Sequence, residues 1–186
     1  MPLLGTAFYF SKSPRYIPLP IIKAKLLSLS LLTIILPILL YFLLKTLGKI
    51  KSPQLQSTQE RILPLIINSI IVFVVVQRIL PQNELIELYY FFIGILLSTL
   101  ACLILAILKF KASIHMIAAA GVFMFFIAIS IHYHININGS IALFCLLIGA
   151  IASSRLYLKA HNFAELIIGF LIGLFPQLIL LNYWLY

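Results

Sequence analysis

Residues 88–108 read LYYFFIGILLSTLACLILAIL, an unbroken run in which no side chain is charged. A helix needs about 20 mostly apolar residues to cross a bilayer, so this run predicts a membrane span. Backbone polar groups in lipid must bond within their own segment, so the span is expected to be helical. Similar runs predict five more spans, at residues 26–44, 62–80, 113–131, 139–152 (with an extension towards Leu158) and 163–181. The predicted fold is an all-α transmembrane bundle of six spans.

The composition indicates the same class of protein. Of the 186 residues, 63% are apolar and 9% are charged, against about 45–50% and about 25% in soluble proteins. This balance excludes soluble nucleotide-binding α/β domains, disordered tails and disulfide-linked scaffolds. Cys102 and Cys145 both lie inside apolar runs, where cysteine serves as a small packing residue.

The segment before the first predicted span has a different character. Residues 1–10 are apolar but only about half as long as a span, and residues 11–20 contain basic residues and prolines. A signal peptide would carry its charge before the apolar stretch, which this segment does not. We expect residues 1–20 to be an interfacial or re-entrant piece or a truncated helix, and residues 21–186 to form the six-span domain.

The charges limit the possible chemistry. Lysine and arginine total 13 and the acids total 4, all glutamate, which gives a net charge of +9. A chain without aspartate lacks Asp-rich Mg²⁺ motifs and the aspartyl chemistry of pumps and intramembrane proteases, so neither a metal nor a cofactor is predicted. The basic residues are dispersed between apolar runs, which argues against nucleic acid. Their excess suits the anionic head groups of a bilayer and a phosphate-bearing substrate.

The richest polar cluster is Ser154-Arg155-x5-His161-x3-Glu165. On a helix, His161 and Glu165 would share one face within side-chain reach. A carboxylate that binds one imidazole nitrogen leaves the other free to act as a nucleophile or base, and the Arg155 guanidinium suits phosphate. The alternative is structural, because Asn162 and Glu165 fit the N-cap and third position of the sixth helix.

Two further clusters precede other spans. Lys109-Phe-Lys111-Ala-Ser113-Ile-His115 opens the fourth span, with Ser113 as a natural N-cap. His115 would then lie in the first turn, where helix N–H groups favour an anion, although a histidine at a helix end is more often simply interfacial. Arg61 lies at the start of the second span, beside Glu60 and shortly before Pro64. An acid and a base next to a span are common, so this pair alone does not indicate a function.

Loop alternation places all three clusters on one membrane face. That face carries eight lysines and arginines and the other carries five, so the positive-inside rule would put the clusters in the cytoplasm. The other two histidines, His132 and His134, fall on the opposite face without a cysteine or carboxylate nearby in sequence, and we interpret them as interfacial.

These clusters resemble the signatures of the type 2 phosphatidic acid phosphatase (PAP2) superfamily of membrane lipid phosphatases. The Ser154–Glu165 pattern resembles the third signature, SR-x5-H-x3-D, with glutamate in place of aspartate. Ser113-Ile114-His115 resembles the second, PSGH, and Arg61 resembles the arginine of the first, K-x6-RP. Gln54 stands where the first signature has lysine, and Lys51, Lys109 or Lys111 is expected to replace that cation, with Lys111 assigned to the phosphate site.

The resemblance implies a metal-independent mechanism. His161 would attack phosphorus and form a phosphohistidine while Glu165 holds its imidazole. His115 would protonate the departing lipid oxygen and then activate water. Arg61, Arg155 and Ser113 would bind the phosphoryl oxygens. Lipid phosphatases of this kind in bacteria generally face the outer side of the inner membrane, which is the opposite of what the loop charges favour, and we follow the resemblance.

The implied partner is a phosphorylated membrane lipid, namely a phosphatidate-like lipid, a polyprenyl diphosphate or a phosphorylated lipid A. Two alternatives remain open. One is a non-catalytic relative of the same family that binds or moves lipids. The other is an unrelated small polytopic protein such as a transporter subunit, although the chain has no evident internal repeat of the kind that many transporters show. The sequence does not indicate an oligomeric state.

Overall fold

The computed structural model describes residues 1–48 and 57–185. These residues are almost all helical, and they form no strand. The helices are α1 (Pro2–Lys12), α2 (Leu19–Ser30), α3 (Leu36–Thr46), α4 (Thr58–Arg78), α5 (Ile86–Ile107), α6 (Ile114–His132), α7 (Asn138–Tyr157) and α8 (Phe163–Leu180), and a short 3₁₀ turn, Leu181–Tyr183, follows α8. The predicted all-α class is confirmed.

Six helical segments of the described chain are long and apolar enough to cross a membrane. The first is Leu19–Thr46, in which α2 and α3 run on through a π-helical turn at Leu31–Ile35. The other five are α4, α5, α6, α7 and α8 with its 3₁₀ turn. The six predicted spans are therefore present. The first is longer than expected because it begins at Leu19, so the boundary predicted after residue 20 falls inside α2.

Helix α1 is embedded in the bundle rather than lying at its surface. Its 11 residues rise about 16 Å at 1.5 Å per residue, roughly half of the bilayer core. Tyr9 is fully buried, and the Phe8 ring stacks on that of Phe126 with centroids 3.8 Å apart. A Cβ on Gly5 would collide with the Phe91 ring. The helix packs on α5 and α6.

A buried carboxylate fastens this helix to the bundle. Glu87 of α5 is fully buried and accepts hydrogen bonds from the hydroxyls of Tyr9 (3.0 Å) and Tyr133 (2.8 Å). The Arg15 guanidinium forms an ion pair with it at 2.9 Å. His132 Nε2 lies 3.4 Å from the same carboxylate. We call these five side chains the Glu87 cluster.

The Glu87 cluster corrects the interpretation of one histidine. His132 has a carboxylate neighbour that is distant in sequence, so it belongs to a buried polar network and is not simply interfacial. His134, by contrast, is exposed, as expected of an interfacial residue.

Helix α6 is the centre of the bundle. Most of its residues are buried, and it packs most extensively against α8, while α4 packs against α5. Two glycines of α8 make the α6–α8 contact close. A Cβ on Gly169 would lie 2.9 Å from the Ser113 carbonyl oxygen, and one on Gly173 would collide with the Ile117 carbonyl. Small residues four apart on a helix let a neighbouring helix backbone approach closely, and Gly169 and Gly173 have this spacing.

Replacing Gly173 with alanine should destabilise the protein. The added methyl group forces α6 and α8 apart, and overpacking of this kind typically costs about 1–3 kcal/mol. We expect a clear drop in the melting temperature of the purified protein in detergent. Gly149→Ala is the matched control, because a Cβ on Gly149 in α7 meets no atom within 4 Å. Equal melting temperatures for the two variants would contradict this account of the helix contact.

Candidate active site

The start of α8 is bound directly to the start of α6. The Ser113 backbone N–H donates to the Glu165 carbonyl oxygen at 3.1 Å, and Gly169, one turn further along α8, leaves room for the Ser113 backbone. Ser113 is at the N-cap position of α6 and is fully buried, but its side chain does not cap the helix. Two of the three sequence clusters therefore meet at this contact.

His161 and Glu165 form a hydrogen-bonded pair. His161 Nδ1 lies 2.7 Å from Glu165 Oε2, and because an ionised carboxylate only accepts, Nδ1 carries the proton and Nε2 presents a lone pair. The His161 side chain is 5% exposed.

Glu165 also has the structural role that the sequence allows, as the third residue of a capping box at the start of α8. Its backbone N–H donates to Asn162 Oδ1 at 2.9 Å, and its Oε2 accepts the Asn162 N–H at 3.3 Å, which completes a capping box. Glu165 Oε2 thus both caps the N-terminus of α8 and orients the His161 imidazole. The cap ties the position of the histidine pair to the first turn of the helix.

His115 is more exposed than His161. It is in the first turn of α6 and is accessible from outside, whereas His161 is largely buried. The His115 imidazole interacts electrostatically with His161, Arg155 and Arg61. A group bound between the two histidines would therefore have a covered imidazole on one side and an accessible one on the other.

Arg61 reaches the cluster from α4. Its side chain is almost fully buried, and Nη1 donates to the Ala112 carbonyl oxygen at 2.8 Å. Its charge also acts on His161 and on Glu165. A backbone carbonyl thus holds the guanidinium beside the start of α6 without neutralising it.

Lys111 and Arg155 add two more cations. Lys111 Nζ donates to the Ala160 carbonyl oxygen at 3.1 Å, and its charge acts on His161. Arg155 lies in the last turn of α7. Between α7 and α8 the chain turns through Lys159, whose φ of 50° is left-handed, and the Ala160 N–H donates to the Arg155 carbonyl. This tight turn sets His161 close behind Arg155.

Two buried polar atoms at this place have no hydrogen-bond partner among the described residues. They are Ser113 Oγ and Arg155 Nε. An unpaired buried donor is costly and in a native structure calls for an explanation. An oxyanion bound beside His115 would supply acceptors for both.

The structure thus brings together Arg61, Lys111, Ser113, His115, Arg155, His161 and Glu165. Lys109 is exposed, with a left-handed φ of 62°, and no contact joins it to the others. Gln54 and Lys51 lie outside the described residues. Within residues 1–48 and 57–185, no group of three or more His, Cys, Asp or Glu side chains could hold a metal ion. Sequence reasoning missed the carbonyls of Ala112 and Ala160, since a backbone acceptor carries no residue-type signal.

No protein-family model, curated protein or solved structure matches this chain.

The surroundings of His161 keep its imidazole neutral. Burial is the main cause and lowers its pKa below the ordinary 6.5, and the positive charges of Arg61 and Lys111 act in the same direction. The hydrogen bond to Glu165 and the charge of that carboxylate oppose this by raising the pKa. A neutral imidazole at physiological pH is the state that a nucleophile or a base requires.

Two substitutions should therefore move the His161 pKa in opposite directions. Lys111→Ala removes a positive charge and should raise the pKa towards 6.5, whereas Glu165→Gln removes a stabilising anion and should lower it further. Histidine NMR titration of the isotope-labelled protein in micelles measures both. Lys109→Ala provides the control, because it removes an exposed lysine from the same loop. Shifts of the same sign in both variants would contradict the described electrostatics.

Proposed function

We propose that this protein is a metal-independent phosphatase that removes phosphate from a phosphorylated membrane lipid, through a phosphohistidine at His161. The observation that carries the proposal is the His161 Nδ1–Glu165 contact of 2.7 Å beside a second histidine and several cations. The resemblance of the three clusters to the PAP2 signatures supports it, as does their origin in three separate parts of the chain.

In the first step, His161 Nε2 attacks the phosphorus atom of the lipid phosphate. The new N–P bond forms as the bond from phosphorus to the lipid oxygen breaks, and the protonated His115 gives its proton to that oxygen. The positive charge that develops on His161 is balanced by Glu165, to which Nδ1–H already donates. The products are a lipid alcohol and a phosphohistidine.

In the second step, neutral His115 takes a proton from water, which attacks the phosphohistidine. The N–P bond breaks, inorganic phosphate leaves, and His161 returns to its neutral form. His115 emerges protonated, ready for the next cycle. Its exposed position suits a residue that must meet the leaving lipid oxygen first and water afterwards.

The cations stabilise the phosphoryl oxygens throughout. Charge builds on these oxygens in the transition state, and fixed donors aimed at them lower the barrier. Arg61 and Lys111 act electrostatically on His161 and Arg155 acts on His115, and among the described residues Ser113 Oγ and Arg155 Nε are buried without a hydrogen-bond partner. Arg61 and Lys111 are fixed by backbone carbonyls, so little reorganisation is needed when the phosphate binds.

We place the protein in a bacterial inner membrane with this site on the outer face. The six apolar helical segments support an integral membrane protein, and the orientation follows the PAP2 resemblance. The extra lysines and arginines on that face are then substrate ligands rather than topology signals.

Turnover should survive removal of divalent metals. Phosphate release from a panel of lipid phosphates by purified protein in detergent is expected to be unchanged by EDTA, because the mechanism draws its positive charge from arginine and lysine. Loss of activity in EDTA with recovery on adding Mg²⁺ would reject the histidine mechanism.

Substitutions should separate the roles of the site residues. His161→Ala should abolish turnover and the acid-labile phosphoenzyme. His115→Ala should slow turnover by about 10²–10⁴-fold, with a smaller loss for an aryl phosphate, whose leaving group needs little protonation. Glu165→Gln should keep the capping box but lose a charge-assisted hydrogen bond of about 1.5–3 kcal/mol, which corresponds to about 10- to 100-fold in rate.

The matched control is His134→Ala, which removes an exposed histidine on the opposite face. Melting temperatures in detergent show whether each variant is folded. If His161→Ala is folded and as active as the parent, the enzymatic proposal fails and a lipid-binding, non-catalytic relative is the better account. If Glu165→Gln behaves like the parent, Glu165 is only a helix cap.

A further inference from the structure

His132 faces a hydrogen-bond acceptor with each of its two ring nitrogens. Nε2 lies 3.4 Å from Glu87 Oε1, and Nδ1 lies 3.4 Å from the carbonyl oxygen of Leu185. A neutral imidazole has one N–H and one lone pair, whereas the protonated ring donates from both nitrogens. In either neutral form, one of the two contacts therefore sets a lone pair against an oxygen. The protonated ring is the form that makes both hydrogen bonds.

The charged and titratable groups around His132 come from several elements. The Glu87 carboxylate favours a proton on His132, and the Arg15 guanidinium, 2.9 Å from the same carboxylate, opposes it. The hydroxyls of Tyr9 and Tyr133 donate to Glu87, and tyrosine loses its proton only near pH 10. Histidine gains and loses its proton between pH 5 and 8. His132 is therefore the member of the Glu87 cluster whose ordinary titration range includes neutral pH.

The contact between His132 and Leu185 is a second tie between the two helices that form the candidate active site. Both α6 and α8 begin at that site, where the Ser113 N–H donates to the Glu165 carbonyl oxygen. At the other end of the bundle, His132 is the last residue of α6, and Leu185 follows the 3₁₀ turn after α8. The 19 residues of α6 separate the two ties by about 28 Å at 1.5 Å per residue.

We propose that His132 and its two acceptors form a proton-dependent latch. The protonated ring joins Glu87 at the start of α5 to Leu185 and fastens residues 181–185 to the bundle. When the proton leaves, one of the two hydrogen bonds is lost and this segment loosens. The proton comes from water and returns to it, since the side chains of His132 and Arg15 are 20% and 44% exposed. The latch responds to pH at the end of the bundle opposite to the candidate active site, and it does not depend on the proposed phosphatase activity.

Fluorescence of Trp184 reports the charge of His132. It is the only tryptophan of the chain, and its ring centroid lies 5.3 Å from that of His132. A protonated imidazole quenches indole fluorescence more strongly than a neutral one, so the emission of the purified protein in detergent should rise in one step between pH 5 and 8. His132→Gln should remove this step, because an amide does not titrate.

The control for this experiment is His134→Gln, which changes an exposed histidine two residues further along the chain. It should keep the step of the parent. A parent protein without the step, or a step that persists in His132→Gln, would overturn the latch.

Hydrogen exchange tests whether the proton holds the segment. The N–H groups of Trp184 and Leu185 donate to the Leu181 carbonyl oxygen, so they exchange when the segment opens. At pH 5 they should exchange about tenfold faster in His132→Gln than in the parent, which corresponds to one hydrogen bond to a charged group. At pH 8 the two proteins should exchange alike. Comparing variants at equal pH removes the direct effect of pH on exchange. Equal rates at pH 5 would contradict the proposal.

His132→Lys is the variant with the opposite expectation. Lysine stays charged between pH 5 and 8, so residues 181–185 should exchange more slowly than in the parent at pH 8, and the fluorescence step should be absent. Melting temperatures in detergent show whether each variant is folded. If His132→Gln does not fold, the comparison of His132→Lys with the parent at pH 8 decides, and equal exchange there would overturn the latch.

Discussion

The close contact between α6 and α8 is the constraint on which the rest of the structure depends. Ser113 at the start of one helix donates its backbone N–H to Glu165 in the first turn of the other. That distance is possible because Gly169 and Gly173 present no side chain to α6. The same contact sets the buried Ser113 hydroxyl, His115 and the His161–Glu165 pair against one another. The close packing of α6 and α8 and the geometry of the site therefore depend on the same two glycines.

The electrostatic design of the site follows from how its cations are held. Arg61 and Lys111 donate to the carbonyls of Ala112 and Ala160, which orient a cation without cancelling its charge. The Glu165 carboxylate acts on both His161 and Arg61, and it also binds the His161 imidazole and takes part in the helix cap. Opposite charges attract, so the basic side chains that are held at this place favour an anion.

Much of the fold could be read from residue patterns because hydrophobic length dictates a membrane span. The all-α class and the six spans are confirmed. The site residues were proposed from spacing, and the structure brings them together, whereas the family and the activity stay predictions. The sequence pattern places the start of the first span too late, because Pro20, Lys23 and Lys25 interrupt the apolar run although α2 begins at Leu19. The Glu87 cluster was missed because its members come from three distant segments.

The Glu87 cluster also has a consequence for biogenesis. Helix α1 has 11 residues, about half of the length of a membrane span. It packs on α5 and α6, and its Tyr9 hydroxyl contacts Glu87 and Tyr133, so these contacts form only after both helices have entered the membrane. Helix α1 thus reaches its final position only after α5 and α6, which follow it in the chain. Until then, the Glu87 carboxylate of α5 lacks its contacts with Tyr9 and Arg15.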